Sequence, residues 1–416
     1  MFGFCLILFY NIFMLLKRRF YLNYSKNTNT FLFILVLAIA ITVVLYSLQY
    51  LASYASTADE GYYLRYTTFI KFNGLKGFPI LYKDFIGNKQ HWLFPPPSRL
   101  GFIMLCYIFA NMCGCSFEAI SLLSVFSYSL LLIVCYYFSK RHFGSKMALL
   151  FTILMAFSPL NMAVARRALT DSTAYLLSAF SIWLFYDLLK RTSTLKYILF
   201  IIVFSLAVLV KELTIILSFA FVLYLLYLKF FTKETFNIKN WFGVTLFPYL
   251  IVGCAYVISA GGIKYAIEIM KIVLASPKTN QYAILLGAGP WYRYIIDFVL
   301  LSPWVFILGA GFPLYYILKK KPDEKIRYFI FISMFVFIFL SSCLFTKNIR
   351  YVILLDMVLR LFSVLMLKEI FETRFPKYCG TFTTLAVIAI AVFDFLTFVD
   401  LFIVFYSLFV VSNNTK

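Results

Sequence analysis

Two adjacent carboxylates, Asp59 and Glu60, lie a few residues after the apolar run Phe31–Ala52. Charge this close to the hydrocarbon of a bilayer is costly, and acids that persist there commonly have a function. A pair of acids at a membrane face can deprotonate an acceptor hydroxyl, or hold a divalent cation that polarises a phosphate. The alternative is that they cap the first helix of a loop, where a carboxylate is favourable. The pair is therefore a candidate catalytic site.

A second charged group, Arg166, Arg167 and Asp171, ends a later apolar segment. A pair of arginines cannot face lipid unpaired, so these side chains must meet water, a carboxylate or a phosphate. Asp171 is either a further catalytic or metal-ligating acid beside Asp59 and Glu60, or the N-cap of the next helix. The sequence leaves a divalent cation on these three acids as an open alternative.

Further cations interrupt two apolar stretches. Lys211-Glu212 is either a tight turn between two spans or the position of a lysine that binds an anionic lipid head group. Asp356 and Arg360 have i, i+4 spacing, which predicts a structural ion pair on one helix face. The predicted phosphate-binding cations are Arg166, Arg167, Lys211, Lys347 and Arg350, and the predicted donor or acceptor contacts are Lys89, His91 and Tyr351.

The composition is that of a polytopic membrane protein. Of 416 residues, 63% are hydrophobic and 13% are charged, which no soluble domain of this size can bury. The formal charge is +21, but the basic residues punctuate apolar runs, which indicates membrane topology rather than nucleic-acid binding. The eight cysteines are scattered, and only Cys113-Gly114-Cys115 is close-set, so they are interpreted as apolar packing.

The apolar runs predict an all-α protein with about 11 transmembrane helices. Gly101–Cys113 is apolar but short, and it lies between a triple proline and Gly114. Basic clusters recur at every second loop, and they all face the cytoplasm only if this segment does not cross the membrane. The predicted spans cover residues 31–52, 119–139, 147–164, 172–189, 196–210, 213–229, 241–260, 293–318, 327–345, 350–367 and 380–403.

This topology creates one long outer loop, 53–118, that contains juxtamembrane helices. Residues 1–30 are predicted to be a cytoplasmic or interfacial segment, and either Met1 or Met14 is the true start. Residues 31–416 are predicted to form a single transmembrane domain. The charged groups described above then lie at one level of the outer face.

The order of these motifs resembles the C-type superfamily of membrane glycosyltransferases. That group includes protein O-mannosyltransferases, the aminoarabinose transferase of lipid A and oligosaccharyltransferases. The resemblance covers most of residues 31–360, and the motifs that carry it are Asp59-Glu60, Pro95-Pro96-Pro97, Gly114–Ala119, Phe143–Lys146, Ser158–Asp171, Lys211-Glu212 and Arg350-Tyr351.

The resemblance implies a function and assigns roles. Asp59 is the expected catalytic base, Asp171 matches a second acid of the family, and the outer cations are expected to hold a polyprenyl-phosphate sugar. The implied reaction is inverting transfer of that sugar to an acceptor hydroxyl of a glycan, lipid or protein, on the outer face of the plasma or inner membrane. The chain lacks the large extra domain of some members, so the acceptor is not implied.

The alternative from another class is a transporter or flippase for a lipid-linked or anionic substrate. Transporters usually place polar groups near the bilayer midplane, on broken helices in repeated halves. Here the predicted polar groups gather at the ends of spans and no internal repeat is visible. The sequence therefore favours the transferase.

Overall fold

The computed structural model describes residues 26–50, 59–190, 193–232, 243–279, 284, 287–319 and 323–404. Most of the predicted N-terminal segment 1–30, and with it the choice between Met1 and Met14, lies outside the described residues. The first part of the predicted outer loop, 53–58, also lies outside them.

Helices make up nearly all of the described chain. The only extended pairing among the described residues is an isolated bridge between Ala288 and Thr346. The α-helices are α1 Lys26–Ser47, α2 Asp59–Asn73, α3 Gly77–Gly87, α4 Leu100–Cys113, α5 Phe117–Phe143, α6 Ser145–Ala156, α7 Pro159–Ala165, α8 Thr170–Lys190, α9 Thr194–Val210, α10 Ile216–Tyr227, α11 Phe247–Ala260, α12 Ile263–Thr279, α13 Arg293–Leu301, α14 Pro303–Lys319, α15 Glu324–Cys343, α16 Ile353–Arg374 and α17 Cys379–Val399.

Short 3₁₀ and π turns extend or connect several of these helices. Two of the 3₁₀ turns, Glu212–Ile215 and Ile349–Tyr351, carry or adjoin the predicted site cations, and a third, Lys89–Leu93, lies in the predicted outer loop. The remaining short turns are Leu48–Tyr50, Gly74–Lys76, Leu228–Thr232, Pro376–Tyr378 and Asp400–Val404.

The predicted all-α, multi-pass membrane fold is confirmed, but the count of 11 spans is not. Within the described ranges, seven helical segments are long and apolar enough to cross a membrane, or eight when the bent pair α6–α7 is one span. The apolar helices α9 and α14 are shorter, with 17 residues each. Helix α16 is 22 residues long, but charged side chains interrupt it. Whether these three also cross stays a prediction.

The third predicted span, 147–164, is not one straight helix. It is divided into α6 and α7, which meet at an angle of 61°. Pro159 begins α7, because a proline has no N–H to continue the hydrogen bonds of the preceding turn. The Ser158 side chain caps α7 by accepting from the Asn161 amide at 3.2 Å. The bend turns α7 toward the predicted site.

The described part of the predicted outer loop folds into the helices α2, α3 and α4. With 14 residues, α4 is about 21 Å long, too short to cross hydrocarbon about 30 Å thick. It packs on α2, α5 and α9. A Cβ at Gly101 would lie 3.0 Å from the backbone of Leu209 and Val210, so glycine permits this close approach. Helix α4 is thereby held against the end of α9, next to Lys211.

Helix α8 forms the centre of the bundle. It packs along α5 and α9, and almost all of its residues are buried. The aromatic rings of Trp183 and Phe329 make an edge contact at 4.6 Å, and the Tyr328 hydroxyl donates to the Ile182 carbonyl at 2.8 Å. This packing fixes the start of α8 at the level where α9 ends and α16 begins, and there the site is assembled.

Candidate active site

A buried carboxylate, Asp171, binds two cations from distant parts of the chain. It lies in the first turn of α8, and its Oδ1 accepts from the Lys211 ammonium at 2.6 Å. Its Oδ2 faces the Arg350 guanidinium at 3.4 Å. Lys211 follows the last residue of α9, and Arg350 lies in the turn before α16. Three helix ends are therefore joined by one acid.

Arg350 connects this cluster to Asp59. The Asp59 carboxylate, at the first residue of α2, lies 3.9 Å from the Arg350 guanidinium. The Asp59 side chain is 40% exposed, whereas that of Asp171 is 4% exposed. Of the two acids, Asp59 is thus the one that an incoming hydroxyl can reach.

A cleft opens beside the cluster. Its polar end is formed by Asp171, Lys211, Arg350 and Tyr351. The remainder is mostly apolar, comes from α8, α10, α15, α16 and the turn Glu212–Ile215, and also includes Ser178 and Thr214. The apolar lining comprises Ala174, Leu213, Ile216, Leu217, Val336, Leu340, Ile353 and Leu354. Such a cleft has the polarity of an amphipathic ligand with a charged end.

Arg350 is kept charged by two carboxylates, but its contacts with them are long. Burial disfavours the charged form of Arg350, but the facing carboxylates of Asp171 and Asp59 stabilise it. Its contacts with those acids, at 3.4 and 3.9 Å, are longer than the 2.7–2.9 Å of strong charge-assisted hydrogen bonds. Arg350 is therefore a permanent cation that can shift its contacts toward a bound anion.

Glu60 has a different environment from its neighbour Asp59. It is buried, and its two oxygens accept from Nε and Nη2 of Arg167, both at 2.9 Å. One of them also accepts from the Ala168 amide at 3.1 Å. The pair joins α2 to the segment between α7 and α8. Both carboxylate oxygens are occupied, so the geometry gives Glu60 and Arg167 a positioning role.

We expect Glu60→Gln to weaken the protein without removing its site. The substitution removes the charge and one acceptor from a bidentate pair, and the free energy of unfolding should fall by about 1–2 kcal/mol. The effect is limited because the Arg167 side chain is 37% exposed. Thermal melting in detergent measures it, and Arg65→Gln, at an exposed arginine of the same helix, is the control. Unchanged melting in Glu60→Gln would contradict this role.

Two predicted phosphate-binding cations lie elsewhere. Arg166 is buried and donates from Nη1 to the Phe402 carbonyl at 3.0 Å. The Lys347 ammonium binds the carbonyls of Ser341 at 2.6 Å and Leu344, at the end of α15. Lysine at a helix C-terminus commonly satisfies the last carbonyls in this way. The structure does not bring either side chain to the cluster around Asp171.

Of the three predicted donor or acceptor contacts, only one lies at the cleft. Tyr351 lines the cleft, with the Lys211 ammonium 5.1 Å from its ring centre. His91 is buried in the predicted outer loop, 3.3 Å from Asp84, and its ring makes an edge contact with Tyr62. Tyr62 is one helical turn from Asp59. Lys89 is exposed in the same loop and lies outside the cluster.

Arg99, which the sequence analysis did not single out, lies close to the site. Its Nε donates to Glu212 at 3.2 Å, and Nη1 donates to the Tyr63 hydroxyl. Ser98 donates to the same carboxylate at 2.9 Å. These bonds fasten the start of α4 to the turn after Lys211. An arginine directly before an apolar helix in an outer loop departs from the positive-inside pattern, and this signal was available in the sequence.

A second buried network lies beneath the site. Arg360 is fully buried and donates to Asp356 at 2.9 Å and to Asp394 at 2.6 Å. Asp356 also accepts from the Ser158 hydroxyl at the bend between α6 and α7, at 2.8 Å. The predicted Asp356–Arg360 pair is thus present, and it extends to helix α17. The network fixes α16, which follows Arg350, to the bent span.

The acids do not form a metal centre as they are arranged. Both oxygens of Glu60 are bound to Arg167 and Ala168, and Arg350 lies between Asp59 and Asp171. Over the described ranges, no group of three or more His, Cys, Asp or Glu side chains is arranged to hold a metal ion. The alternative of a divalent cation on these acids does not fit this geometry.

Comparisons with known proteins agree with the earlier resemblance. A family model described as dolichyl-phosphate-mannose-protein mannosyltransferase matches residues 100–258, from α4 to α11. These residues include Asp171 and Lys211 but neither Asp59 nor Arg350. No sequence among the curated proteins matches the chain.

Two crystal structures share the fold. The oligosaccharyltransferase of Archaeoglobus fulgidus, a complex with Zn and sulfate, is 14% identical over 87% of this chain and 52% of its own, with a TM-score of 0.56. The chain thus spans about half the length of that protein. ArnT of Cupriavidus metallidurans bound to undecaprenyl phosphate is 14% identical over 90% of this chain and 70% of its own, with a TM-score of 0.54. The chain is thus similar to membrane glycosyltransferases in the sequence of residues 100–258, and it shares the fold of two of them.

Proposed function

We propose that the protein transfers a sugar from a polyprenyl phosphate to an acceptor hydroxyl, with Asp59 as the base. The observation that carries this proposal is the link from the exposed Asp59 carboxylate through Arg350 to the polar end of the cleft. A base and a cation for the leaving phosphate then lie side by side. The neighbour with bound undecaprenyl phosphate supports a donor of this class.

The shape and polarity of the cleft support a lipid-linked donor. The phosphate of the donor is placed at Lys211 and Arg350, and the prenyl chain lies along the apolar side chains of α10 and α15. Lys211 is bound to Asp171 at 2.6 Å, so Asp171 orients the lysine and Arg350 moves onto the phosphate. A charged head and an apolar tail are thus recognised by different ends of one cleft.

The reaction is a single displacement at the anomeric carbon. The acceptor oxygen attacks that carbon while Asp59 takes the hydroxyl proton, and the bond from the carbon to the phosphate oxygen breaks. Polyprenyl phosphate leaves, and the charge that develops on it is stabilised by Arg350 and Lys211. Attack opposite the leaving group inverts the configuration of the sugar. No nucleotide takes part.

The proposed site faces the outer side of the membrane. The basic ends of α5, α8, α14 and α16 lie at the opposite ends of these helices from Asp171 and Arg350. The positive-inside rule places those basic ends in the cytoplasm. The donor therefore meets its acceptor outside, in the periplasm or its equivalent.

Substitutions in the cationic pair test the phosphate site. We expect Arg350→Gln and Lys211→Gln each to weaken binding of polyprenyl phosphate about ten- to a hundredfold, because each removes a charge-assisted contact. Binding is measured by titration of the purified protein, together with its melting temperature. Lys271→Gln, at an exposed lysine on the outer helix α12, is the matched control.

Two results would count against the proposal. If Arg350→Gln and Lys211→Gln are folded and bind polyprenyl phosphate as the wild type does, the phosphate site is elsewhere. If the wild type moves a lipid-linked sugar between leaflets of a vesicle without breaking its phosphate bond, the protein is a transporter. The transporter is the alternative that is tested, because transporters commonly bind their substrates on broken helices and α6–α7 is a bent span.

A further inference from the structure

A buried acid at the end of α8 that is far from Asp171 binds three basic side chains. Asp187, near the end of α8, is 2% exposed. Its Oδ2 accepts from Arg141 at 2.6 Å and from Lys196 at 3.0 Å, and its Oδ1 accepts from His142 at 3.0 Å. The two cations share one oxygen, so their nitrogens lie close enough together to bind one phosphate group.

The cluster carries more positive than negative charge. Arg141 and Lys196 contribute two positive charges against the one of Asp187, which leaves a formal charge of +1 with a neutral His142. The Arg141 side chain is 40% exposed and that of Lys196 is 24% exposed. Asp187 occupies only part of the donor capacity of the guanidinium and the ammonium. The remaining N–H groups can reach an outside anion.

The surface next to these cations is apolar. Tyr137, one turn before Arg141 on α5, is 59% exposed, and Leu199, one turn after Lys196 on α9, is 37% exposed. Arg141 lies at the end of α5 and Lys196 lies near the start of α9. Tyr137 and Leu199 are each farther into their helix, so both lie on the membrane side of the cluster. Charge at the interface with apolar surface beneath it matches a lipid head group and its acyl chains.

We propose that Arg141 and Lys196 form a binding site for an anionic phospholipid at the end of the bundle opposite Asp59. The single negative charge of a phosphodiester complements the +1 of the cluster. A zwitterionic lipid carries a positive group that the cluster repels. Asp187 holds the two cations in place and, by competing for them, limits how tightly the lipid binds.

Lipid titration of the delipidated protein tests this site. We expect phosphatidylglycerol to bind at least tenfold more tightly than phosphatidylcholine by native mass spectrometry. Arg141→Gln and Lys196→Gln should each remove most of this preference, because each brings the cluster to a formal charge of zero. Asp187→Asn should increase it several-fold, an opposite effect that general loss of structure does not produce.

The controls separate this site from others. Arg374→Gln, at an exposed arginine at the end of α16, should keep the preference of the wild type. Binding of polyprenyl phosphate at the outer site should stay unchanged in all four variants, so a failure there would concern only the proposed function. Equal binding of the two lipids by the wild type would overturn the proposal, as would a preference that survives both cation substitutions. Equal thermal stabilisation by free inorganic phosphate would overturn the lipid as ligand.

Discussion

Asp59→Asn should abolish most sugar transfer while leaving the protein folded. Asparagine keeps the size of the side chain but cannot take a proton, and a general base contributes about 10²–10⁴-fold in rate. Transfer from a lipid-linked donor to an acceptor should fall by that factor. Binding of polyprenyl phosphate should persist, because Lys211 and Arg350 remain in place.

Asp84→Asn is the matched control for this substitution. Asp84 is also an acid of the predicted outer loop, and its side chain is 48% exposed, but it lies beside Arg65 and His91 rather than at the cleft. It should keep transfer near that of the wild type. Normal turnover in Asp59→Asn would remove Asp59 from the role of base, and Asp171→Asn would be the next variant to measure.

Arg360→Met should cause the largest loss of stability. It leaves the buried carboxylates Asp356 and Asp394 without their cation, and breaking a buried ion pair from one side costs roughly 3–5 kcal/mol. The free energy of unfolding is measured by titration with a denaturing detergent. The surviving protein should also lose transfer, because α16 no longer holds Arg350 firmly.

A triple variant separates lost charge balance from lost packing. Arg360→Met together with Asp356→Asn and Asp394→Asn removes all three charges and keeps similar volumes. It should recover most of the stability that Arg360→Met loses, since an uncharged set of similar shape is often as stable as a buried ion pair. If the triple variant is as unstable as the single one, the charges are not what stabilises this part of the bundle.

Charges at the ends of apolar runs predicted several of the side chains that the bundle brings together. Asp59, Asp171, Lys211 and Arg350 each stand where a helix begins or ends, and the bundle brings such ends to one level. The all-α fold followed from composition for a related reason, because helices satisfy their own backbone groups in lipid. Residue type and position along a span were sufficient for these inferences.

The sequence did not show which way each charged side chain points at the end of its helix. Arg166 and Arg167 are adjacent, yet consecutive residues at a helix end point to different sides, and here they contact Phe402 and Glu60. Asp59 and Glu60 separate for the same reason. The partners of such residues depend on which helix packs nearby, and that packing involves residues hundreds of positions apart.

The hydrophobic pattern also did not predict features that depend on the local backbone. The run 147–164 is continuously apolar, but Ser158 and Pro159 bend it by 61°. In the sequence, Lys347 and Arg350 are neighbouring cations with the same predicted role. In the structure, Lys347 lies beside the end of α15 and binds the free carbonyls there. Both features depend on backbone hydrogen bonds, which a count of charges and apolar residues does not represent.

The most direct test of the proposed reaction follows the donor itself. Purified wild-type protein in lipid vesicles is incubated with a polyprenyl-phosphate monosaccharide and a mixture of acceptor glycans, lipids and proteins, and free polyprenyl phosphate is measured over time. We expect free polyprenyl phosphate to appear in step with sugar on the acceptor, and Asp59→Asn to suppress both. A donor that binds to the wild-type protein but stays intact in the presence of every acceptor class would contradict it.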